Sequence, residues 1–263
     1  MMVCDVLRTK RRVGREHATM ADCLDVLMDR RIAKTSAGDF EGAHTAAMND
    51  SDNWSKYRSE WWTRYFTAEL RHFWPPRLDE SEPDAGGYRS ISRNDVFDIG
   101  AGRFEHRELH TAVSAYVWGV GFNSRRSIRW LVRAFTTDPD AVQTNLRKAA
   151  AILAKDGAVA AYDAMLAGGA AWTKYMGPAY FTKYLFFTGY RDPGADLRPL
   201  ILDKRVATAL RERRVFGPRT GDTGWPGYLY RRYLEYCHEQ NPGNPEAVEF
   251  DLFNEGRPPR RGA

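Results

Sequence analysis

Two side chains in this 263-residue sequence have the type and setting for chemistry at a carbon centre. Lys183 stands in "YMGPAYFTKYLFFTGY", a run crowded with aromatics, at a position where leucine would cost nothing. An amine attacks carbon only when unprotonated, and lysine titrates near about 10.4, so a nucleophilic role demands desolvation or a neighbouring cation. Tyr180, Phe181, Tyr184, Phe186 and Phe187 can supply dry surroundings; the alternative is a lysine whose stem lies along the helix while its head reaches water. Asp203 follows the apolar plug Leu200, Ile201 and Leu202 and precedes a helical run from Lys204 to Leu210. As an N-cap it is worth about 1 kcal/mol. A carboxylate pinned at a helix start beside an apolar wall is also a rigid catalytic group, so the two roles are compatible.

The elements that must position these residues are helical. The spacing predicts one helix ending near Trp172, a tight turn through Tyr175, Met176 and Gly177, and a second helix with Pro178 at N1 and its stop at Gly189. This is a helix-hairpin-helix over about residues 166–189. Unpaired N–H groups at the start of the second helix, which includes Ala179, suit a phosphate oxygen and grip DNA without reading a base. The Pro/Gly-rich "RDPGADLRP" then leads to Asp203.

Elsewhere the pattern predicts a mainly α fold with little or no sheet. Residues 1–50 are polar, weakly helical at "ADCLDVLMDRRIA" and expected to be poorly ordered; residues 51–256 form a helical domain and 257–263 a flexible tail. The first nineteen residues read as a flexible leader or an over-extended start, with no apolar core of a secretory signal. Trp54, Tyr57, Trp61 and Tyr65 recur at 3/4 spacing, an aromatic stripe on a helix ended by Pro75 and Pro76, and the acidic "LDESEPDAGG" reads as a linker after it. Ser92 or Asn94 caps a short helix; the next stops at Gly119 and Gly121; "SRRSIRWLVRAF" is a third. Another has Asp138 as N-cap, Pro139 at N1 and a stop at Gly157, and the last has Asn244 and Pro245 in the corresponding places.

Composition narrows the function classes. Hydrophobic residues at 43% and charged residues at 28% describe a globular protein, and no apolar run approaches the roughly 18 residues of a membrane span. The net charge is +5, and residues 171–236 hold twelve Lys/Arg against six Asp/Glu, a local surplus of six. Arg125, Arg126, Arg129 and Arg133 have the spacing that puts at least three guanidinium groups on one helical face, either a solvated face or a polyanion contact. Cys4, Cys23 and Cys237 make no CxxC pair, and the i, i+4 pair His106 and His110 has no carboxylate pattern to complete a metal site. No Walker loop, GxGxxG, HExxH or GxSxG occurs.

The order hairpin, Gly/Pro-rich loop, aspartate at a helix start resembles the helix-hairpin-helix DNA glycosylases with a Gly/Pro-Asp signature. "GPAYFTKYLFF" and "LILDKRVATAL" are most similar to bacterial proteins with an 8-oxoguanine DNA glycosylase fold, a resemblance that covers roughly residues 90–256. The resemblance implies excision of a damaged or modified base, 8-oxoguanine first among them, from double-stranded DNA by a cytoplasmic, nucleoid-associated monomer with no cofactor, metal or membrane. It makes Asp203 the carboxylate that stabilises positive charge on the deoxyribose. In bifunctional members a lysine near the hairpin attacks C1′ and forms a Schiff base that leads to strand cleavage. The usual register puts that lysine at Ala179, one turn before Lys183, so the nucleophile is Lys183 reaching back, Lys174 from the preceding helix, or water. Tyr175 stands where the hairpin's first glycine is usual. A flipped base also needs flat walls, and Trp118, Phe122, Trp172, Trp225 and Tyr228 are the candidates, with Arg219, Arg231 and Arg232 for phosphates. Alternatives are a non-catalytic DNA-binding module for repair or antiviral defence, a glycosylase for hypermodified phage bases, and a helical interaction protein with a basic surface.

Overall fold

The computed structural model describes residues 54–120, 125–192 and 194–257. The expectations for residues 1–50, for the tail from 258 and for Phe122 lie outside the described residues. Strand β1 (Trp54–Tyr57) pairs antiparallel with β2 (Arg89–Ser92), Trp54 opposite Ser92 and Tyr57 opposite Arg89. Between them lie α1 (Ser59–Thr63), a 3-10 turn (Ala68–Phe73) and α2 (Arg77–Glu80). There follow α3 (Arg93–Ala101), α4 (Arg107–Val120), α5 (Arg125–Leu131), α6 (Arg133–Thr136), α7 (Pro139–Met165), α8 (Pro178–Gly189), α9 (Lys204–Glu212), α10 (Gly227–Gln240) and α11 (Pro245–Glu255). The fold is mainly α, and β1–β2 is the only sheet among the described residues.

Three expectations need correction. The aromatic stripe from Trp54 to Tyr65 is not one helix: Trp54 and Tyr57 belong to a strand whose partner lies more than thirty residues on, so no local pattern exposed it. The acidic stretch after it is no spacer, because Asp84 Oδ1 accepts the Gly86 and Tyr88 N–H groups at 2.9 Å each and its other oxygen accepts from Lys56 at 2.8 Å, tying the stretch to β1. The helix before the turn ends at Met165, not near Trp172. Gly168 has φ 84°, and a Cβ at Gly169 would stand 2.4 Å from the Ala164 carbonyl oxygen, so this Gly-Gly pair folds the chain back on the helix end.

Local end signals that need no distant partner are in place. Ser92 caps α3 in a capping box with Asp95, Asp138 accepts the Ala141 N–H at 3.1 Å, and Asn244 accepts the Ala247 N–H. Gly157 (φ 87°, ψ 177°) breaks α7 into two stretches. The centre is formed by α4, buried from Glu108 through Trp118, and α8, buried from Ala179 through Phe187. A helix apolar all round has to be surrounded. Helices α3 and α7 and strand β1 cover α4, α7 and α3 also cover α8, and α9 and α10 pack on α11.

Between α8 and α9 the chain runs extended through Leu200, Ile201 and Leu202, all buried and outside any sheet. Buried backbone groups need partners, and here side-chain hydroxyls serve. The Tyr230 hydroxyl donates to the Leu200 carbonyl at 2.9 Å and accepts its N–H at 3.2 Å; the Tyr233 hydroxyl donates to the Ile201 carbonyl at 2.8 Å; Thr182 Oγ1 accepts the Leu202 N–H at 3.1 Å. Tyr230 is itself fixed by stacking on Tyr162 at 4.2 Å. Replacing Tyr230 by Phe strands both Leu200 groups and is expected to lower stability by about 1–3 kcal/mol in urea denaturation. The exposed Tyr228→Phe serves as control; equal midpoints for the two variants would contradict this account.

Candidate active site

Two links with the same 20-residue separation join α8 to the start of α9: Thr182 to Leu202, and Lys183 to Asp203. Asp203 caps α9 with one oxygen, Oδ1 accepting the Arg205 and Val206 N–H groups at 2.9 and 3.1 Å. Its Oδ2 lies 4.0 Å from Lys183 Nζ. The lysine bends back by one helical turn: Nζ donates to the Ala179 carbonyl at 2.7 Å and lies 5.7 Å from the Tyr180 ring centroid. The side chains are 9% and 18% exposed, so the pair is enclosed. Of the two lysines considered, the structure brings Lys183 to Asp203. Lys174 is exposed, with Nζ 5.0 Å from the Tyr175 ring.

The turn before α8 has an unusual backbone. Tyr175 has φ 69°, the left-handed region that glycine enters without penalty and other residues reach at about 1–2 kcal/mol. The Arg133 guanidinium sits 4.7 Å from its ring and 5.1 Å from that of Trp130, and Nη2 donates to the Tyr175 hydroxyl at 3.2 Å. Two surface cations, Arg133 from α6 and Lys174, therefore meet on one strained tyrosine. Gly177 is the N-cap of α8 with no side-chain cap, and Pro178 follows at N1.

The family model described as "Putative 8-oxoguanine DNA glycosylase OGG-like protein" matches residues 49–253. The chain belongs to this family. No curated protein and no solved structure matches it.

The remaining residues singled out for the OGG-like chemistry are dispersed. Trp225 is a core residue whose indole donates to the Gly221 carbonyl at 3.0 Å, and Trp118 is buried under Arg93 and against Phe187. Trp172 is 45% and Tyr228 71% exposed. Two of the four are thus core residues and two stand at the surface. Met176 and Ala179 are buried, whereas Arg219, Arg231 and Arg232 stand at the surface. Arg231 lines a cavity of about 560 Å³ with Gly157, Tyr184, Thr188, Asp192 and Leu197, on the half of α8 away from Gly177. Neither this cavity nor a second one beside Phe104 and Arg147 includes Lys183 or Asp203. His72 joins His106 and His110 in a ring cluster, but among the described residues no group of His, Cys, Asp and Glu has the arrangement of a metal site.

Sequence reasoning missed the buried ion network under Trp118. Arg93 is stacked on the rings of Trp118 and Phe186 and binds two carboxylates of α11, Glu246 and, at 3.2 Å, Glu249. Glu249 is 2% exposed and its Oε2 has no hydrogen-bond partner among the described residues. Burial raises its carboxyl to about 7; Arg93 opposes the shift, while Glu246 and Asp203 add to it. Burial also works against the Arg93 charge, but the two glutamates outweigh it and raise that group. The opposite tendencies are consistent because one guanidinium is shared between two carboxylates, and Glu249, the more deeply enclosed of the two, bears the burial penalty. An acid whose folded pKa is raised adds stability below its unfolded value and loses it as pH rises through the folded one. Wild type is therefore expected to lose stability relative to Glu249→Gln between about pH 4.5 and about 7, read by urea midpoints across that range; parallel profiles would contradict the assignment.

Proposed function

We propose that this OGG-like protein is a DNA glycosylase that acts on an extruded modified purine, 8-oxoguanine first among them, with Asp203 and Lys183 as its catalytic pair. The observation that carries this reading is the 4.0 Å approach of Lys183 Nζ to Asp203 Oδ2, one turn from an uncapped helix start. Asp203 is suited to charge stabilisation because Oδ1 is held by two backbone N–H groups while Oδ2 faces the amine. As the bond from C1′ to the base breaks, its electron pair leaves with the base, and the carboxylate stabilises the cationic sugar. The lysine nitrogen then bonds to C1′; the C1′–O4′ bond breaks with its electron pair on O4′, which takes up one proton from the nitrogen while the other goes to solvent, giving the imine; loss of a C2′ proton to solvent then expels the 3′ phosphate. Bending Nζ back to Ala179 brings the amine to the turn of α8 where relatives by resemblance carry their nucleophile. Arg133, Lys174 and the Gly177 turn hold the adjoining phosphates.

A second reading is favoured by the enclosure of the pair: Lys183–Asp203 is a structural ion pair in a DNA-binding scaffold. Borohydride trapping on duplexes carrying 8-oxoguanine or an abasic site separates the two. Glycosylase-lyase chemistry gives a covalent adduct with wild type, little with Lys183→Ala and, with protein in saturating excess over the duplex, a full adduct with Lys174→Ala. Asp203→Asn is expected to reduce base release by at least about 100-fold with DNA affinity nearly unchanged. A wild type that binds DNA yet releases no base from a panel of modified-base duplexes and forms no adduct would leave the scaffold reading.

The phosphate contacts are checked separately. Arg133→Ala and Lys174→Ala are each expected to flatten the slope of log affinity against log salt by about 1. An unchanged slope in both would place the duplex elsewhere.

A further inference from the structure

Gly119 is the one exposed position in an otherwise buried run of α4, between Trp118 and Val120. The sequence suggested that it ends the helix, yet it lies inside α4, and it is not among the glycines of positive φ. Its backbone conformation is therefore open to any residue, and a glycine within a helix is less stable than alanine. What distinguishes the position is its neighbour. A Cβ at Gly119 would stand 2.6 Å from Lys183 Cε, 2.8 Å from Cδ and 3.8 Å from Nζ. The first two distances are shorter than any contact a carbon tolerates, so the stem of the lysine occupies the space that a side chain would take. A side chain at 119 would make that stem shift, and the stem carries the amine that bonds the Ala179 carbonyl and lies beside Asp203.

We propose that Gly119 is a positioning residue for the Lys183 amine and the opening by which reagents reach it: the missing side chain gives the bent lysine its course and is the one exposed break in the buried run of α4 beside an otherwise enclosed amine. This rests on the catalytic reading of Lys183 only for its consequence; the steric relation stands without it. Alanine at 119 displaces the stem, and leucine also roofs the amine. Neither alters the Asp203 cap or the Arg133–Tyr175 contact, which lie on other elements.

The test uses the full chain and two measurements, the first independent of glycosylase activity. Reductive methylation with formaldehyde and cyanoborohydride, mapped by mass spectrometry, should label Lys183 in wild type and at least about tenfold more slowly in Gly119→Leu, with exposed Lys174 labelled equally in both as internal control. Thermal unfolding of the double-mutant cycle supplies the second: Gly119→Ala should lower or leave the midpoint with Lys183 present and raise it in a Lys183→Ala background, where only the helix preference remains. On abasic duplexes, the trapping rate should fall in the order Gly119, Ala, Leu with DNA affinity constant. Equal labelling in wild type and Gly119→Leu, no labelling of Lys183 in wild type, or an additive cycle would overturn the proposal. Slower labelling and a coupled cycle without any adduct in wild type would uphold it while removing the glycosylase-lyase reading.

Discussion

An extended segment buried without a sheet is the constraint on which this arrangement depends. Leu200, Ile201 and Leu202 bring apolar side chains into the interior along with backbone groups that strand neighbours would ordinarily satisfy. Tyr230 and Tyr233 from α10 and Thr182 from α8 satisfy Leu200, the Ile201 carbonyl and the Leu202 N–H. Because Thr182 is one of these partners, the residue after the segment, Asp203, is held in register with the residue after Thr182, Lys183. The meeting of amine and carboxylate follows from hydroxyl bonds one residue away. An ion pair alone would leave two flexible side chains to find each other; here both backbones are fixed before the charges meet.

The carboxylate's capping bonds and the lysine's bend serve the same end. An aspartate that donates nothing and accepts two N–H groups with one oxygen has lost most of its rotational freedom. The lysine loses its freedom to the groove beside Gly119 and to the Ala179 carbonyl. Preorganisation of this kind is where proteins gain most in stabilising a developing charge, because no reorganisation remains to be done when the charge forms.

How much of this was legible in the sequence depends on the distance over which each signal acts. The caps Ser92, Asp138, Asp203 and Asn244 and the N1 prolines Pro139, Pro178 and Pro245 act within four residues, and each was readable at its own position. Strand β1 was not, since aromatic residues at 3/4 spacing suit a helix until Arg89–Ser92 offers them backbone partners. The ending of α7 lay in between: Gly168–Gly169 was visible, but Trp172 continued the apolar pattern past it. Tyr230 and Tyr233 left a fainter signal. Two phenols three apart on a buried helix face must find acceptors, though nothing local named Leu200 and Ile201 as those acceptors. Glu249 left none, because a glutamate in "NPEAVEFDLFNEG" reads as a solvated position until Arg93 is brought beneath it.

Tyr175 shows how one unfavourable torsion can join two elements. Glycine at that position would take the left-handed conformation without penalty and turn the chain into α8 equally well. It would also leave the Arg133 guanidinium with Trp130 alone, lacking the second ring and the hydroxyl at 3.2 Å. A cation–π contact at the surface is worth about 0.5–1 kcal/mol, and a hydrogen bond from a charged donor contributes about 1.5–3 kcal/mol. Together these match or exceed the backbone cost of about 1–2 kcal/mol, so the strained turn is stable while Arg133 is present. The balance works in both directions: the tyrosine holds the arginine of α6 over the turn, and the arginine holds the turn in the shape that starts α8. Loss of the Arg133 contact would therefore be felt in the backbone that leads into α8, because one ring carries both interactions.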